Sequence, residues 1–133
     1  MTEHQLFKIT QNAIIKNNNG EILILRHSDS GKWLLPGGRI NVGEDWQTAL
    51  NREIEEETGM TFKIDGILDV DSFSDDSKSA YVVVFFGETK DADVSLSEEH
   101  DEYAWINNKS DLEKYDFWHE DIVKRIKKFF GII

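Results

Sequence analysis

Three glutamates in one short stretch, Glu53, Glu56 and Glu57, carry the most chemical information in the chain. The segment from Asp45 to Thr58 reads as a helix, with Gly59 as its stop. At 100° per residue, Trp46, Ala49 and Leu50 form an apolar stripe with Ile54 at its edge. The next positions along that stripe are Glu53 and Glu57, and Glu56 lies beside them. Like charges at this spacing repel by roughly 0.2–0.5 kcal/mol per pair. They also sit near the negative end of the helix dipole, and partial burial adds to the cost. A divalent cation reverses the sign of each of these effects, and hard oxygen ligands suit Mg²⁺ or Mn²⁺. A solvated acidic face is the plain alternative, but solvated glutamates have no reason to continue an apolar stripe.

The loop before the helix contains the chain's only proline, in Pro36-Gly37-Gly38. Two glycines allow a backbone to approach a ligand closely, and carbonyls there could add neutral metal ligands. Other signals are weaker. Arg26 ends the run EILILR and could reach a phosphate or sit as a surface charge. Trp33, Phe73, Tyr81 and Trp118 could stack on a base or belong to the core. Asp69, Asp71, Asp75 and Asp76 lack the central glycine and terminal glutamate of a calcium loop, and instead suit a strand edge and a turn. His119-Glu120 lacks the second histidine of a zinc protease helix.

The elements that must position these residues read as follows. Phe7 to Lys16 and Glu21 to Arg26 are strands joined by the turn Asn17-Asn18-Asn19-Gly20. Trp33 to Leu35 is a short extended piece. Strands follow the helix within Phe62 to Ser74, over Tyr81 to Gly87 and over Tyr103 to Ile106. The run YVVVFFG is apolar throughout, as in a strand covered on both faces. Trp118, Ile122, Ile126 and Phe129 mark an amphipathic closing helix, with Asp116 as its expected N-cap. This order predicts an α/β protein, a sheet with helices on its faces.

With 133 residues the chain is expected to form a single domain over 1–133. The balance of 15 basic against 26 acidic residues, net −11, disfavours a nucleic-acid polymer as partner. No apolar run is long enough for a membrane helix, so no membrane partner is expected. There is no cysteine and no basic-then-apolar leader, which fits a cytoplasmic location. Zinc would have only histidines and carboxylates to bind. A homodimer is left open.

Gly38 to Met60 reads GRINVGEDWQTALNREIEEETGM and resembles the Nudix box, the signature of the Nudix hydrolases. Gly38, Glu44, Arg52, Glu53, Ile54, Glu56, Glu57, Gly59 and Met60 match every constrained position of that signature. Trp33-Leu34-Leu35-Pro36-Gly37 leads into the box as in many relatives. Asn41 and Val42 replace an acid and a proline that are common but not fixed there. The resemblance implies an α/β/α sandwich around a mixed sheet. It also implies Mg²⁺-dependent hydrolysis of a nucleoside diphosphate linked to another group. Glu53 and Glu57 match the principal metal ligands, Glu56 supports them or binds a second ion, and the Gly37 carbonyl matches a backbone ligand. Arg52 looks like the residue that orients Glu53, and Glu44 like one that steadies the loop. Gly38 opens the box against the substrate.

The general base in this family lies in the box or on a later loop. The later acids here stand in Glu98-Glu99-His100-Asp101-Glu102-Tyr103-Ala104-Trp105. Glu102 matches the glutamate that precedes an aromatic, one residue and a tryptophan, and is expected as a base or further ligand; Glu99 is second. The expected substrate is a small nucleotide, such as an intact or oxidised nucleoside triphosphate or a dinucleoside polyphosphate. Relatives acting on ADP-ribose often carry a proline about fifteen residues beyond the box, and this chain has none after Pro36. The alternative function is a Nudix-fold module that binds a nucleotide without turnover. The complete acid set argues for the enzyme.

Overall fold

The computed structural model describes residues 2–91 and 93–131. Strand β1 (Lys8–Lys16) turns back into β2 (Ile22–His27). The turn between them is held by Asn17, whose side-chain oxygen accepts the N–H groups of Asn19 and Glu21 at 3.0 Å. Gly20 supplies the left-handed φ of 76° that closes the turn. Two short strands follow, β3 (Trp33–Leu34) and β4 (Gly37–Arg39), then helix α1 (Trp46–Thr58). The long hairpin β5 (Lys63–Ser74) and β6 (Ser79–Glu88), strand β7 (His100–Ile106) and helix α2 (Glu120–Phe130) complete the order.

The sheet has seven strands in the order β3-β2-β1-β6-β5, with β4 added to β1 and β7 to β2. It is mixed: β1 runs parallel to β6, while the other pairings are antiparallel. Alternation within the strands decides the layers. Ala13, Ile15, Leu23, Leu25 and Phe85 point to one face, where they meet Leu50 and Ile54 of α1. Ile14, Ile22, Ile24 and Val84 point to the other, where they meet Ile126 of α2. The unbroken apolar runs of β2 and β6 follow from this two-sided cover. The result is the expected α/β/α sandwich.

One feature of the topology creates the site. β1 and β2 pair only beside their turn, at Lys16 and Ile22, and then diverge. The gap is filled by the segment between them in space: β3 pairs with β2, β4 pairs with β1, and Pro36 makes the crossing, its carbonyl accepting the N–H of Ala13 at 2.9 Å. The glycines of β4 therefore emerge at the split, directly before α1.

Two local expectations are corrected. Asp116 does not cap α2; His119 does, its Nδ1 accepting the N–H of Asp121 at 3.1 Å. Residues 116–118 are held extended along β3 by Trp33 N–H to Asp116 O and Trp118 N–H to Trp33 O, both 2.9 Å, so the helix cannot begin earlier. Asp116 instead bonds Lys32 Nζ at 2.8 Å, and Trp118 falls outside the helix stripe, 56 % exposed. β7 also starts earlier than Tyr103, at His100, because Arg26 and His27 of β2 supply partners for Glu102 and His100.

Packing at Gly87 yields a stability prediction. A Cβ there would collide with the carbonyl of Lys63 and with Phe62, whereas a Cβ at Gly20 meets open space. Gly87→Ala should cost about 1–3 kcal/mol through overpacking, and Gly20→Ala about 1–2 kcal/mol through backbone conformation alone. Urea unfolding checks both. Only Gly87→Ala should also disturb the near-ultraviolet signal of the packed aromatics.

Candidate active site

The N-terminus of α1 is set by Asp45, whose carboxylate accepts the N–H of Thr48 at 2.8 Å. Its C-terminus is set by Gly59, left-handed at φ 71°, whose N–H bonds Glu55 O. Between these caps the helix phase is fixed by Ala49, Leu50 and Ile54 in the core. That phase carries Glu57 inward with them, to 5 % exposure, and leaves the Glu53 side chain 19 % and the Glu56 side chain 59 % exposed.

Glu57 Oε1 accepts the main-chain N–H of Gly37 at 2.8 Å. This joins the last turn of α1 to the sheet split. Burial pushes the Glu57 carboxyl up to about 8 against the Gly37 hydrogen bond, with the charges of Glu53, Glu99 and Glu56 adding to the rise. Gly37 has φ 154°, and a Cβ there would collide with the Gln11 carbonyl. A Cβ at Gly38 would collide with the carboxylate of Glu53. The two glycines thus form a cradle in which the backbone lies directly on the acids.

Arg52 serves several carboxylates at once. It grips Glu44 with two bonds, Nε to Oε2 at 2.6 Å and Nη2 to Oε1 at 2.9 Å. Its Nη1 donates to Glu53 Oε1 at 2.9 Å and to Glu56 Oε2 at 3.2 Å, and Nη2 reaches Arg39 O at 3.2 Å. The Asn41 N–H also donates to Glu44, at 2.8 Å, closing the loop ahead of α1. Arg52 first and Asn41 second hold the Glu44 carboxyl below its ordinary range. Burial raises that of Glu53, with Arg52 opposing. A planar, permanently charged fork is the one side chain able to hold this many acids in fixed positions.

The late acids separate. Glu102 faces Arg26 in the β2–β7 register and pairs with it at 3.7 Å, while Asp101 bonds the same guanidinium at 2.5 Å. Arg26 thus meets two carboxylates, and Gly31 packs over its tip. Glu99 lies elsewhere: ligand atoms of Glu57, Glu99 and His100 all fall within 4.8 Å of one another. His100 is not marked by any motif in the sequence; the only signal there is a nitrogen donor inside an acidic run. His100 is 5 % exposed, its Nε2 stands 4.0 Å from Glu57 Oε2, and its Nδ1 has no hydrogen-bond partner among the described residues. Burial lowers its pKa and raises that of Glu57, so both groups are shifted away from their charged forms. His27 sits edge-on to both His100 and Trp118, with centroids 6.2 and 5.5 Å apart.

Of the other aromatic candidates, Trp33 packs on Tyr115 and Tyr81 on Phe7, while Phe73 lies under Lys78. Asp69 and Asp71 approach Arg125 of α2 at 3.9 Å, and Asp75 accepts the N–H groups of Ser77 and Lys78 in a turn.

The donor set fits a divalent cation. A buried carboxyl raised to about 8, an acid held against a glycine, and a buried imidazole whose Nε2 stands 4.0 Å from that carboxyl gather around Glu57. Each is unfavourable without a cation and favourable with one.

The family model described as the NUDIX domain matches residues 6–126. A protein named ADP-ribose pyrophosphatase from Methanocaldococcus jannaschii is 34% identical over 125 residues, covering 87% of this chain and 70% of that one. A protein named nucleoside triphosphatase NudI from Escherichia coli is 32% identical over 116 residues, covering 74% and 81%. The crystal structure of a MutT protein from Methanosarcina mazei superimposes with a TM-score of 0.78 at 33% identity, covering 96% and 98%. With the complete box, the sandwich and the clustered acids in place, the chain belongs to the Nudix hydrolase family.

Proposed function

We propose that the protein hydrolyses a pyrophosphate bond in a nucleoside triphosphate or a closely related small nucleotide, with Glu53, Glu57, Glu56 and the Gly37 carbonyl holding a divalent cation. The observation that carries this reading is the buried Glu57 carboxyl, tied to Gly37 N–H and raised to about 8. Bound there, Mg²⁺ or Mn²⁺ would neutralise phosphate charge and acidify an attacking water.

The chain's own residues do the rest. Arg52 fixes Glu53 and Glu56, while its bidentate bond to Glu44 prevents it from following them. Gly37 and Gly38 keep the backbone close enough for a phosphate to approach the acids. We rank Glu99 ahead of Glu102 as the late acid that serves the reaction, as base or as further cation ligand, because it lies beside Glu57. Arg26 would have to exchange Asp101 and Glu102 for a phosphate, so it is placed at the rim rather than at the reacting bond. The triphosphate preference rests on the NudI relatives and on Pro36 being the sole proline. A panel of nucleoside triphosphates, dinucleoside polyphosphates and ADP-ribose should give the highest kcat/KM for a triphosphate. Highest activity on ADP-ribose would overturn that choice.

Two further predictions concern the acids. In the metal-free protein the folded state retains a proton on Glu57 that the unfolded state loses near its ordinary carboxyl value. Stability from this group is therefore greatest below about pH 4.5 and falls as pH rises to about 8, by up to about 1.4 kcal/mol per unit. Glu57→Gln should flatten that slope in EDTA and stabilise the protein at pH 8. In saturating Mg²⁺ it should lose at least about a hundredfold in kcat, since metal charge supplies several kcal/mol to the transition state. Full activity after EDTA treatment would overturn the metal reading.

For the late acids, Glu99→Gln should lower kcat by about a hundredfold, in the range of a general base. Glu102→Gln should change kcat much less and act mainly through Arg26. Steady-state kinetics on both variants decides between them, and a larger loss in Glu102→Gln would restore the order expected from sequence.

A further inference from the structure

Most of the cation donors at the site are oxygens, the hard ligands that suit Mg²⁺ and Mn²⁺ alike. His100 breaks that pattern. Its side chain is 2 % exposed; among the described residues its buried Nδ1 has no hydrogen-bond partner, and its Nε2 stands 4.0 Å from Glu57 Oε2, beyond hydrogen-bond distance. A buried polar atom without a partner costs roughly 1–3 kcal/mol. The strand register explains why the cost is borne here. His100 pairs across the sheet with His27 at the β2–β7 irregularity, which seats its ring at Glu57 rather than in solvent. Glu99, adjacent in the chain, completes the group, its carboxylate lying within 4.8 Å of the ligand atoms of both Glu57 and His100. Ligands bound to a common ion at about 2.0–2.3 Å lie close to this spacing.

We infer that Glu57, Glu99 and His100 form a mixed nitrogen–oxygen cation position, sharing Glu57 with the carboxylate cluster, that selects a later divalent transition metal such as Co²⁺ over Mg²⁺. Imidazole binds first-row transition metals well, whereas Mg²⁺ keeps to oxygen ligands and water. The affinity gain should grow from Mn²⁺ to Co²⁺ along the usual order of divalent metals. This rests on the metal-dependent reading of the site but concerns only which ion it prefers.

The test uses Co²⁺ and Mg²⁺ as their chlorides on the full chain. Proton NMR of the Co²⁺ form should show an exchangeable imidazole N–H shifted far outside the diamagnetic range, as a coordinated histidine gives. Calorimetric titration should show the ratio of Co²⁺ to Mg²⁺ affinity falling at least tenfold in His100→Gln and in His100→Phe. Absence of the shifted resonance in the wild-type protein overturns the inference, and this measurement stands even if both variants fail to fold. A ratio unchanged within twofold in folded variants overturns it as well. Mg²⁺-supported turnover by the wild-type protein without a Co²⁺–imidazole signal would sink His100 as a ligand and leave the hydrolytic reading intact. The signal without turnover in any metal would support the cation position and sink the hydrolytic reading.

Discussion

The bond from Gly37 N–H to the buried carboxyl of Glu57 joins the two halves of the molecule's chemistry. It exists because two independent constraints meet. The apolar stripe of α1 must face the sheet, and that rotation carries Glu57 into the interior with Leu50 and Ile54. The sheet must split where β1 and β2 part, and the split exposes main-chain groups of β4 that no strand can satisfy. An acid that cannot reach water and a backbone donor without a ladder partner then satisfy one another. A cation that displaces the proton of that acid answers the charge it would then carry.

Arg52 is the second constraint, and its geometry explains the length of the signature loop. The guanidinium can hold Glu53 and Glu56 in place only if something holds the guanidinium. Glu44 does this from the other side, bonded both to Arg52 and to Asn41 N–H, so the loop from Gly38 to Asp45 is a brace rather than a linker. Glycine at 38 follows from the same arrangement, since any side chain would occupy the volume of the Glu53 carboxylate. Acids that repel one another are kept together by one cation of the chain, leaving a net negative site for another.

The closing part of the chain shows how tertiary contacts overrule local signals. Asp116 has the chemistry of a helix cap and lies at a plausible distance before the apolar repeat. The segment around it is drawn into an extended run beside β3, so the cap passes to His119 and Trp118 is left at the surface near His27. A similar displacement separates the late acids. Glu102 is drawn to Arg26 by strand register, while Glu99, one residue before the strand, turns towards Glu57.

What the sequence by itself determined is whatever depends on spacing along the chain. The helix and the inward turn of Glu53 and Glu57 follow from a period of 3.6, the stop at Gly59 and the hairpin at Asn17–Gly20 from local turn chemistry, and the two-sided burial of β6 from an apolar run without alternation. The match to the family signature rests on such spacing too, because its residues lie within two turns of helix and one loop. What only the tertiary structure decided is whatever depends on residues far apart in sequence. Glu57 meets His100 across 43 positions, and Arg26 meets Asp101 across 75. Those meetings are set by the order of strands in the sheet and by the irregularity in the β2–β7 register, and no local pattern encodes either. A histidine in an acidic run looks like one more exposed polar residue until the strand beside it places its ring in the interior.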